Sequence, residues 1–338
     1  MIVVFKPDAT QEQVDQVAEQ VTGMGLRVHF NKGAERTIMG AVGDDRKLQS
    51  ANWQSWPGVE QVIPILAPYK LVSRDFQKHD SSIDVRGERI GAKDKMQVMA
   101  GPCSVESVEQ MMHLADVVKT EGLGFMRGGA YKPRTSPYAF QGLESEGLDI
   151  LMEAKKKTGL RIVTELMDPR DIPLFEGRAD VIQIGARNMQ NFRLLKEVGQ
   201  LKTPVLLKRG LANTLKELLM AAEYIAAGGN LNIILCERGI RTFETDTRNT
   251  FDVSAIPVLK EKTHLPVIAD PSHAGGRWDL VEPLALAAVA AGADGLIVEI
   301  HHQPEKALCD GDQALKPPKF VKLMEKIRAV AKIVGRDA

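Results

Sequence analysis

Four residues that are far apart in the sequence carry side chains able to ligate a metal ion. They are Cys103, His273, Glu299 and Asp310, which together offer a thiolate, an imidazole and two carboxylates. Mixed sulfur, nitrogen and oxygen donors suit one divalent first-row metal ion, and Mn, Fe, Co and Zn are all compatible. Their separations of 170, 26 and 11 residues match no short metal motif. The residue types alone therefore leave open a core cysteine, a hydrogen-bonded histidine and a capping aspartate.

Positively charged side chains also recur directly after apolar segments. The chain as a whole is neutral, with 44 Lys and Arg against 44 Asp and Glu. A local excess of cations therefore predicts a site for a substrate with several negative charges, such as phosphates or carboxylates. The alternative is the ordinary polarity of loops that follow apolar segments. The residues concerned are Arg127, Lys132, Arg187, Lys208 and Arg238, accompanied by Glu165, Gln183, Glu237, Asp270 and His301.

The elements that must position these residues form a repeating pattern. Eight apolar segments alternate with segments of helical periodicity, which predicts a TIM (β/α)8 barrel. The carboxyl ends of the strands form the active-site face of such a barrel, so the polar residues above are expected to converge there. The predicted strands are 97–100, 125–127, 161–165, 181–184, 205–208, 233–236, 267–269 and 295–299.

The chain before the barrel has a different pattern. Residues 1–66 alternate strand and helix in the order βαββαβ, which predicts a ferredoxin-like domain. Residues 67–82 are interpreted as a linker, and residues 83–338 as the catalytic barrel with a short N-terminal hairpin turning at Arg86 and Gly87. Nothing in the small domain resembles a catalytic, metal or phosphate motif, so regulation or oligomerisation is its expected role.

Composition excludes several classes of protein. A net charge of zero does not favour binding to nucleic acid or to an anionic membrane. The most apolar stretch, 283–298, is interrupted by Gly292, Asp294 and Gly295, so no transmembrane segment is predicted. Three cysteines are a sparse and odd set, typical of a reducing compartment, and we expect a cytoplasmic protein.

Seven short strings lie at or near the predicted strand ends. They are GPCSVES at 101–107, RGGAYKPRTSPYAFQG at 127–142, QIGARNMQNF at 183–192, LLKRG at 206–210, ILCERGIRTF at 234–243, DPSHAGGR at 270–277 and VEIH at 298–301. Together they resemble the 3-deoxy-D-arabino-heptulosonate 7-phosphate (DAHP) synthase family, type I beta branch, which carries an N-terminal ferredoxin-like regulatory domain. The octulosonate 8-phosphate synthases share the GPC string and the barrel but lack KPRTS, and they are the alternative, with arabinose 5-phosphate as substrate.

The resemblance implies an activity and a set of roles. The family condenses phosphoenolpyruvate with erythrose 4-phosphate in the first step of the shikimate pathway, which supplies aromatic amino acids. Matching the motifs gives Cys103, His273, Glu299 and Asp310 as metal ligands. Lys132 is implied in proton handling, and Glu165, Gln183 and Asp270 line the site without a settled role in orienting water. Phosphoenolpyruvate is assigned to Arg127, Lys132, Arg187, Lys208, Arg238 and the Ala186 amide, and the aldose phosphate to Arg134 and Thr135.

Several alternatives stay open at this point. Lys208 could form a Schiff base, as in a class I aldolase, although the metal-type motifs would then have no purpose. A barrel that has lost catalysis and serves as a scaffold is the non-enzyme alternative. His301 either touches the site or ends its strand, and Cys236 is expected in the core. Cys309 precedes Asp310, so we hypothesise a disulfide with Cys103 that forms after metal loss.

For the small domain, the resemblance implies feedback inhibition by tyrosine or phenylalanine in a homotetramer. The turn formed by His29, Asn31, Lys32 and Gly33 is a candidate effector loop, against an ordinary hairpin turn. Trp53 and Trp56 are expected to pack in the core of this domain.

Overall fold

The computed structural model describes the chain except for residues 33–36, 44–47, 49, 50, 64–67 and 135. It divides into two compact units, which are described separately. The first contains Met1–His79 with Lys262–His264, and the second contains Asp80–Glu261 with Leu265–Ala338. The predicted domain boundaries at 66 and 82 stay predictions.

The first unit contains a four-stranded antiparallel sheet in the order β2-β3-β1-β4, the strand order of a ferredoxin-like fold. Helix α1 (Gln11–Gly23) begins with a capping box between Thr10 and Gln13, and it packs Val14, Val17 and Val21 into the core. The strands are β1 (Ile2–Phe5), β2 (Arg27–Lys32), β3 (Thr37–Val42) and β4 (Val59–Ile63).

Three expectations for this unit have different outcomes. Trp56 belongs to the core cluster and Trp53 packs against it, as expected. The second helix of the βαββαβ pattern, expected near 45–53, lies largely outside the described residues; Leu48, which is described, is helical, and a short 3-10 turn follows at Trp53–Ser55. The effector-loop candidate lies partly outside them as well, since Gly33 is not described.

The second unit begins with a hairpin of β5 (Ser82–Val85) and β6 (Glu88–Gly91). Arg86 and Gly87 form its two-residue turn, and both have positive φ, at 51° and 88°. Arg86 O accepts a hydrogen bond from Arg161, and Arg89 O accepts one from Gln97, at the starts of two barrel strands. The hairpin therefore covers the amino-terminal end of the barrel.

Eight parallel strands close into a barrel, which confirms the predicted fold. The strands are β7 (Gln97–Gly101), β8 (Phe125–Arg127), β9 (Arg161–Glu165), β10 (Val181–Ile184), β11 (Val205–Lys208), β12 (Ile233–Glu237), β13 (Val267–Ala269) and β14 (Gly295–Glu299). Closure pairs β14 with β7, with Glu299 opposite Gly101.

Helices cover the outside of this barrel and connect its strands. None of the helices in the described part of the chain combines the length and apolar character that a membrane span requires. They are α2 (Val108–Thr120), α3 (Glu144–Thr158), α4 (Ile172–Phe175), α5 (Phe192–Val198), α6 (Leu215–Gly228), α7 (Ala255–Lys262), α8 (Pro271–Gly275), α9 (Trp278–Ala290) and α10 (Pro317–Ile333).

Two glycines mark very close approaches at the carboxyl ends of the strands. A Cβ atom at Gly101 would collide with the backbone carbonyl of Arg127. A Cβ atom at Gly185, which follows β10, would collide with the carboxylate of Glu165. The chain can therefore pass Gly101 only without a side chain, and a side chain at Gly185 would require Glu165 to move. Cys103 lies two residues after Gly101.

Candidate active site

The barrel brings the four predicted metal ligands into one cluster. One ligand atom from each of Cys103, His273, Glu299 and Asp310 lies within 4.8 Å of all the others. Cys103 follows β7, His273 lies on α8, Glu299 ends β14, and Asp310 lies in the loop after it. Cys103 Sγ is 3.3 Å from Asp310 Oδ2, and His273 Nε2 is 3.5 Å from Glu299 Oε1. This is the one such cluster among the described residues.

Asp270 orients the histidine of this cluster. It caps α8, because its Oδ1 accepts a hydrogen bond of 2.9 Å from the His273 backbone N–H. Its Oδ2 lies 2.8 Å from His273 Nδ1, which leaves Nε2 facing the other ligands. Burial lowers the pKa of His273 although Asp270 opposes this, so the neutral imidazole that a metal requires is favoured.

Asp310 has an unusual backbone and a charged neighbour. Its φ of 53° is left-handed, which is uncommon for a residue with a side chain. Arg248 Nη1 lies 3.3 Å from Asp310 Oδ1, while Oδ2 faces the cluster. Burial raises the pKa of Asp310, but Arg248, His273 and Lys132 outweigh it and bring the pKa to about 2. The side chain is therefore a carboxylate at neutral pH.

The chemistry of the donor set fits a divalent transition metal. The two carboxylates are ionised, since the pKa of Glu299 is also lowered: burial raises it, but His273 and Arg127 prevail. The contact with Cys309 and burial raise the pKa of Cys103. A bound cation reverses this effect, because a coordinating thiol loses its proton. One sulfur, one nitrogen and two carboxylate groups are then available to ligate a single metal ion.

A cavity of about 380 Å³ opens beside the cluster. Arg127 and Lys208 are almost fully buried in its wall, and Arg238 is 4% exposed. The Nε atoms of Arg127 and Arg238 are buried and have no hydrogen-bond partner within the described structure. Because an unpaired buried guanidinium donor is costly, these groups fit a ligand that brings acceptor oxygens.

Lys132 lies between the cavity and the cluster. Its Nζ is 3.0 Å from both the carbonyl oxygen and the Sγ atom of Cys103. Burial alone would lower the pKa of Lys132, but the Cys103 and Cys309 side chains outweigh it and raise the pKa above its ordinary range. A lysine that keeps its proton can neutralise an anion and donate a hydrogen bond.

The structure brings nearly all of the sequence-predicted site residues to this place. Thr135 lies outside the described residues. Asp270 contacts both His273 and Lys208 Nζ, the latter at 2.5 Å. Lining the cavity itself are Arg127, Lys132, Arg134, Glu165, Gln183, Ala186, Arg187, Lys208, Arg238, His273 and Asp310.

Sequence reasoning did not predict every residue that lines the cavity, and three of those it missed lie close together in the chain. Arg241, Arg248 and Asn249 come from the loop after β12. The string IRTFETDTRN follows the ERG motif directly, so its arginines were the available signal, but only Arg238 of this region was assigned to the substrate.

Three other residues from the sequence analysis lie outside the cavity wall. Glu237 pairs with Arg209 at 2.8 Å and so stabilises the strand end. Cys236 is fully buried in the barrel core, as expected. His301 Nε2 lies 3.3 Å from Glu106 and 3.0 Å from the Gln110 side chain, away from the cavity.

Comparison with known proteins decides the family. The DAHP synthetase I family model matches residues 75–335, and the DAHP synthase ferredoxin-like domain matches residues 1–67. The chain belongs to the DAHP synthetase I family. Within this family, the chain is 51% identical over 335 residues to the phospho-2-dehydro-3-deoxyheptonate aldolase of Thermotoga maritima, covering 99% of each protein.

A solved structure agrees with membership of the DAHP synthetase I family, and a more distant relative has a different named activity. A crystal structure of the Thermotoga maritima DAHP synthase has a TM-score of 0.79 at 49% identity, covering 99% of this chain and 98% of that one. The 2-dehydro-3-deoxyphosphooctonate aldolase of Geobacter sulfurreducens is 30% identical over 270 residues, which cover 75% of this chain and 98% of that protein.

Proposed function

We propose that this protein is a DAHP synthase. It condenses phosphoenolpyruvate with erythrose 4-phosphate and water, and it releases DAHP and phosphate as the first step of the shikimate pathway. The observation that carries the proposal is the Cys103, His273, Glu299 and Asp310 cluster at the edge of a cavity lined by buried cations. Two phosphorylated substrates and an aldehyde require that combination: cations for the anions and a Lewis acid for the carbonyl group.

Each group in the site then has a chemical task. Cys103, His273, Glu299 and Asp310 would hold a divalent ion, which would supply Lewis-acid polarisation of the aldehyde group of erythrose 4-phosphate. Arg134 and Thr135 hold the aldose phosphate. Phosphoenolpyruvate is bound by Arg127, Lys132, Arg187, Lys208, Arg238 and the backbone amide of Ala186.

Proton transfer and the attack of water involve the polar residues of the wall. Lys132 is protonated in the resting site and neutralises the phosphoenolpyruvate anion. It is also our choice for transferring a proton to the aldehyde oxygen of erythrose 4-phosphate as negative charge develops there. Asp270 is engaged by Lys208 and His273, so its main task is orientation. Glu165 accepts a hydrogen bond of 3.3 Å from Gln183, and this pair is our choice for holding the water that adds to phosphoenolpyruvate.

The test is phosphate release from phosphoenolpyruvate with erythrose 4-phosphate or with arabinose 5-phosphate. Each is measured before chelation, after chelation and after re-addition of Mn, Fe, Co or Zn. Turnover of erythrose 4-phosphate that the chelator abolishes and metal restores supports the proposal. Preference for arabinose 5-phosphate would support the octulosonate 8-phosphate synthase activity instead. No phosphate release with either aldose would favour a scaffold without catalysis.

For the small domain, we propose feedback regulation by tyrosine or phenylalanine in a homotetrameric, cytoplasmic enzyme. The match to a DAHP synthase ferredoxin-like domain over residues 1–67 supports a regulatory module. Consistent with this, the cluster of Cys103, His273, Glu299 and Asp310 found among the described residues belongs entirely to the barrel.

Deleting residues 1–66 tests the regulatory role. We expect the remaining chain to keep its turnover, because every described residue of the cavity and the cluster belongs to the second unit. Inhibition by tyrosine or phenylalanine is expected to disappear. Steady-state rates of both proteins, with and without each amino acid, provide the measurement. Equal inhibition of the full and shortened chains would refute a regulatory small domain.

Oxidation of the metal-free enzyme is expected to prevent added metal from restoring its activity. Cys103 Sγ and Cys309 Sγ are 3.4 Å apart, so only a small movement is needed to form a disulfide. Hydrogen peroxide would accept the two electrons, giving two waters with the two thiol protons. After chelation and exposure to peroxide for increasing times, metal is added back, and the rate at which recoverable activity is lost is measured for the unmodified protein and for Cys309→Ser.

We expect slower inactivation in Cys309→Ser, and recovery of the unmodified enzyme with dithiothreitol. Mass spectrometry of a non-reduced digest identifies the linked peptides. An unchanged rate of loss in Cys309→Ser would eliminate the disulfide as the cause.

A further inference from the structure

Gln313 is a buried polar residue to which no role has yet been assigned. It lies beside the cluster of Cys103, His273, Glu299 and Asp310. Its side chain is almost completely shielded from solvent, with 1% of the residue exposed. It ends a short turn, Gly311–Gln313, that begins directly after Asp310, and its backbone N–H donates to the Asp310 carbonyl oxygen at 3.3 Å. A buried amide needs partners for both its N–H and its C=O groups.

Both ends of this amide bind residues of the site. Gln313 Nε2 donates a hydrogen bond of 2.6 Å to Glu299 Oε2. Gln313 Oε1 accepts one of 2.7 Å from Arg248 Nη1, the same atom that lies 3.3 Å from Asp310 Oδ1. The side chain thus touches one carboxylate of the cluster directly and the other through Arg248.

These contacts fix how the two carboxylates face the cluster. Glu299 Oε1 accepts from Arg127 at 2.7 Å, so with Gln313 on Oε2 each oxygen has one hydrogen bond. A carboxylate has about four lone-pair positions, so the others remain for a metal while rotation of the group is restricted. Arg248 occupies Asp310 Oδ1 in the same way and leaves Oδ2 toward Cys103.

We infer that Gln313 is a positioning residue that sets the orientation of both carboxylate ligands, Glu299 directly and Asp310 through Arg248. This inference rests on the proposed metal-dependent function. The amide satisfies both contacts, because its N–H donates to Glu299 and its oxygen accepts from Arg248. Groups of this kind typically change metal affinity by about 10- to 100-fold when they are removed.

The experiment measures Co²⁺ binding to the full chain without substrates. Cobalt is titrated into the chelated protein, and the sulfur-to-cobalt charge-transfer band reports ligation by Cys103. For Gln313→Met, which keeps the volume but removes both contacts, we expect the Kd to rise by about 10- to 100-fold with the band still present. The ligand-field bands are expected to shift as the carboxylates reorient. Gln303→Met, at an exposed glutamine of the same loop, is the matched control and should bind like the unmodified protein.

Two further variants keep the test decisive if Gln313→Met does not fold. Gln313→Glu retains the contact with Arg248 but places a carboxylate against Glu299, so its Kd should also rise. Arg248→Met, at a partly exposed position, removes the contact with Asp310 but leaves the one between Gln313 and Glu299. A smaller rise in the Kd is therefore expected. Thermal unfolding by circular dichroism shows which variants are folded.

The outcomes separate this inference from the proposed function. A Kd unchanged from the unmodified protein in the folded variants overturns the role of Gln313 while the metal site stands. An unmodified protein that binds Co²⁺ without a thiolate band overturns the metal site, and the role of Gln313 with it.

Discussion

Replacing Lys132 with methionine is expected to lower kcat by about 10²- to 10⁴-fold, the usual contribution of a positioned proton donor. Lys132 Nζ lies 3.0 Å from Cys103 Sγ and in the wall of the anion-lined cavity, so it can reach both the metal-type cluster and a bound anion. Steady-state phosphate release from phosphoenolpyruvate and erythrose 4-phosphate is the measurement. The KM for phosphoenolpyruvate should rise as well, because one cation of its site is lost.

The matched control is Lys156→Met, at an exposed lysine on α3. It makes the same chemical change on the outside of the barrel and should leave both kcat and KM unaltered. If Lys132→Met kept its kcat and lost only affinity for phosphoenolpyruvate, the role of Lys132 would be reduced to charge neutralisation.

Replacing Cys103 with alanine is expected to remove the metal and the activity together. It deletes the only sulfur ligand of the cluster, and the loss of affinity should exceed the roughly 10- to 100-fold effect of disturbing a residue behind a ligand. Metal content after desalting and the thiolate-to-cobalt band are measured with phosphate release. We expect no band, no retained metal and no turnover at ordinary metal concentrations.

Cys236→Ala provides the comparison for this variant. Cys236 is also a buried cysteine on the same barrel, but it belongs to the hydrophobic core and not to the cluster. Alanine at that position should cost some stability by leaving a small cavity, while metal binding and kcat persist. Retained metal in Cys103→Ala would exclude the thiolate from the ligand set.

The barrel could be predicted from the sequence because its strands are buried on both faces. Parallel strands of this kind appear as short continuous apolar runs, and six of the eight predicted segments have the observed bounds. The other two, which begin at Gln97 and Ile233, each extend one residue further than predicted. The ferredoxin-like order was likewise visible in the alternation of strand and helix.

The cluster itself could not be derived from residue spacing. Cys103 and Glu299 are 196 residues apart in the sequence, and they meet because β14 pairs with β7 when the barrel closes. Only the motif resemblance connected them beforehand. Arg248 and Gln313 were missed for a related reason: they lie in loops without periodicity, and their value depends on partners contributed by other strands.

The two glycines at the strand ends constrain how this site can change during evolution. Any side chain at Gly101 or Gly185 would displace Arg127 or Glu165, which line the cavity, so single substitutions at these positions should be eliminated by selection. The loops after the strands also line the cavity, through residues such as Arg241 and Arg248. We therefore expect substrate preference in this fold to diverge by exchange of loop residues. The residues at the strand ends should change little.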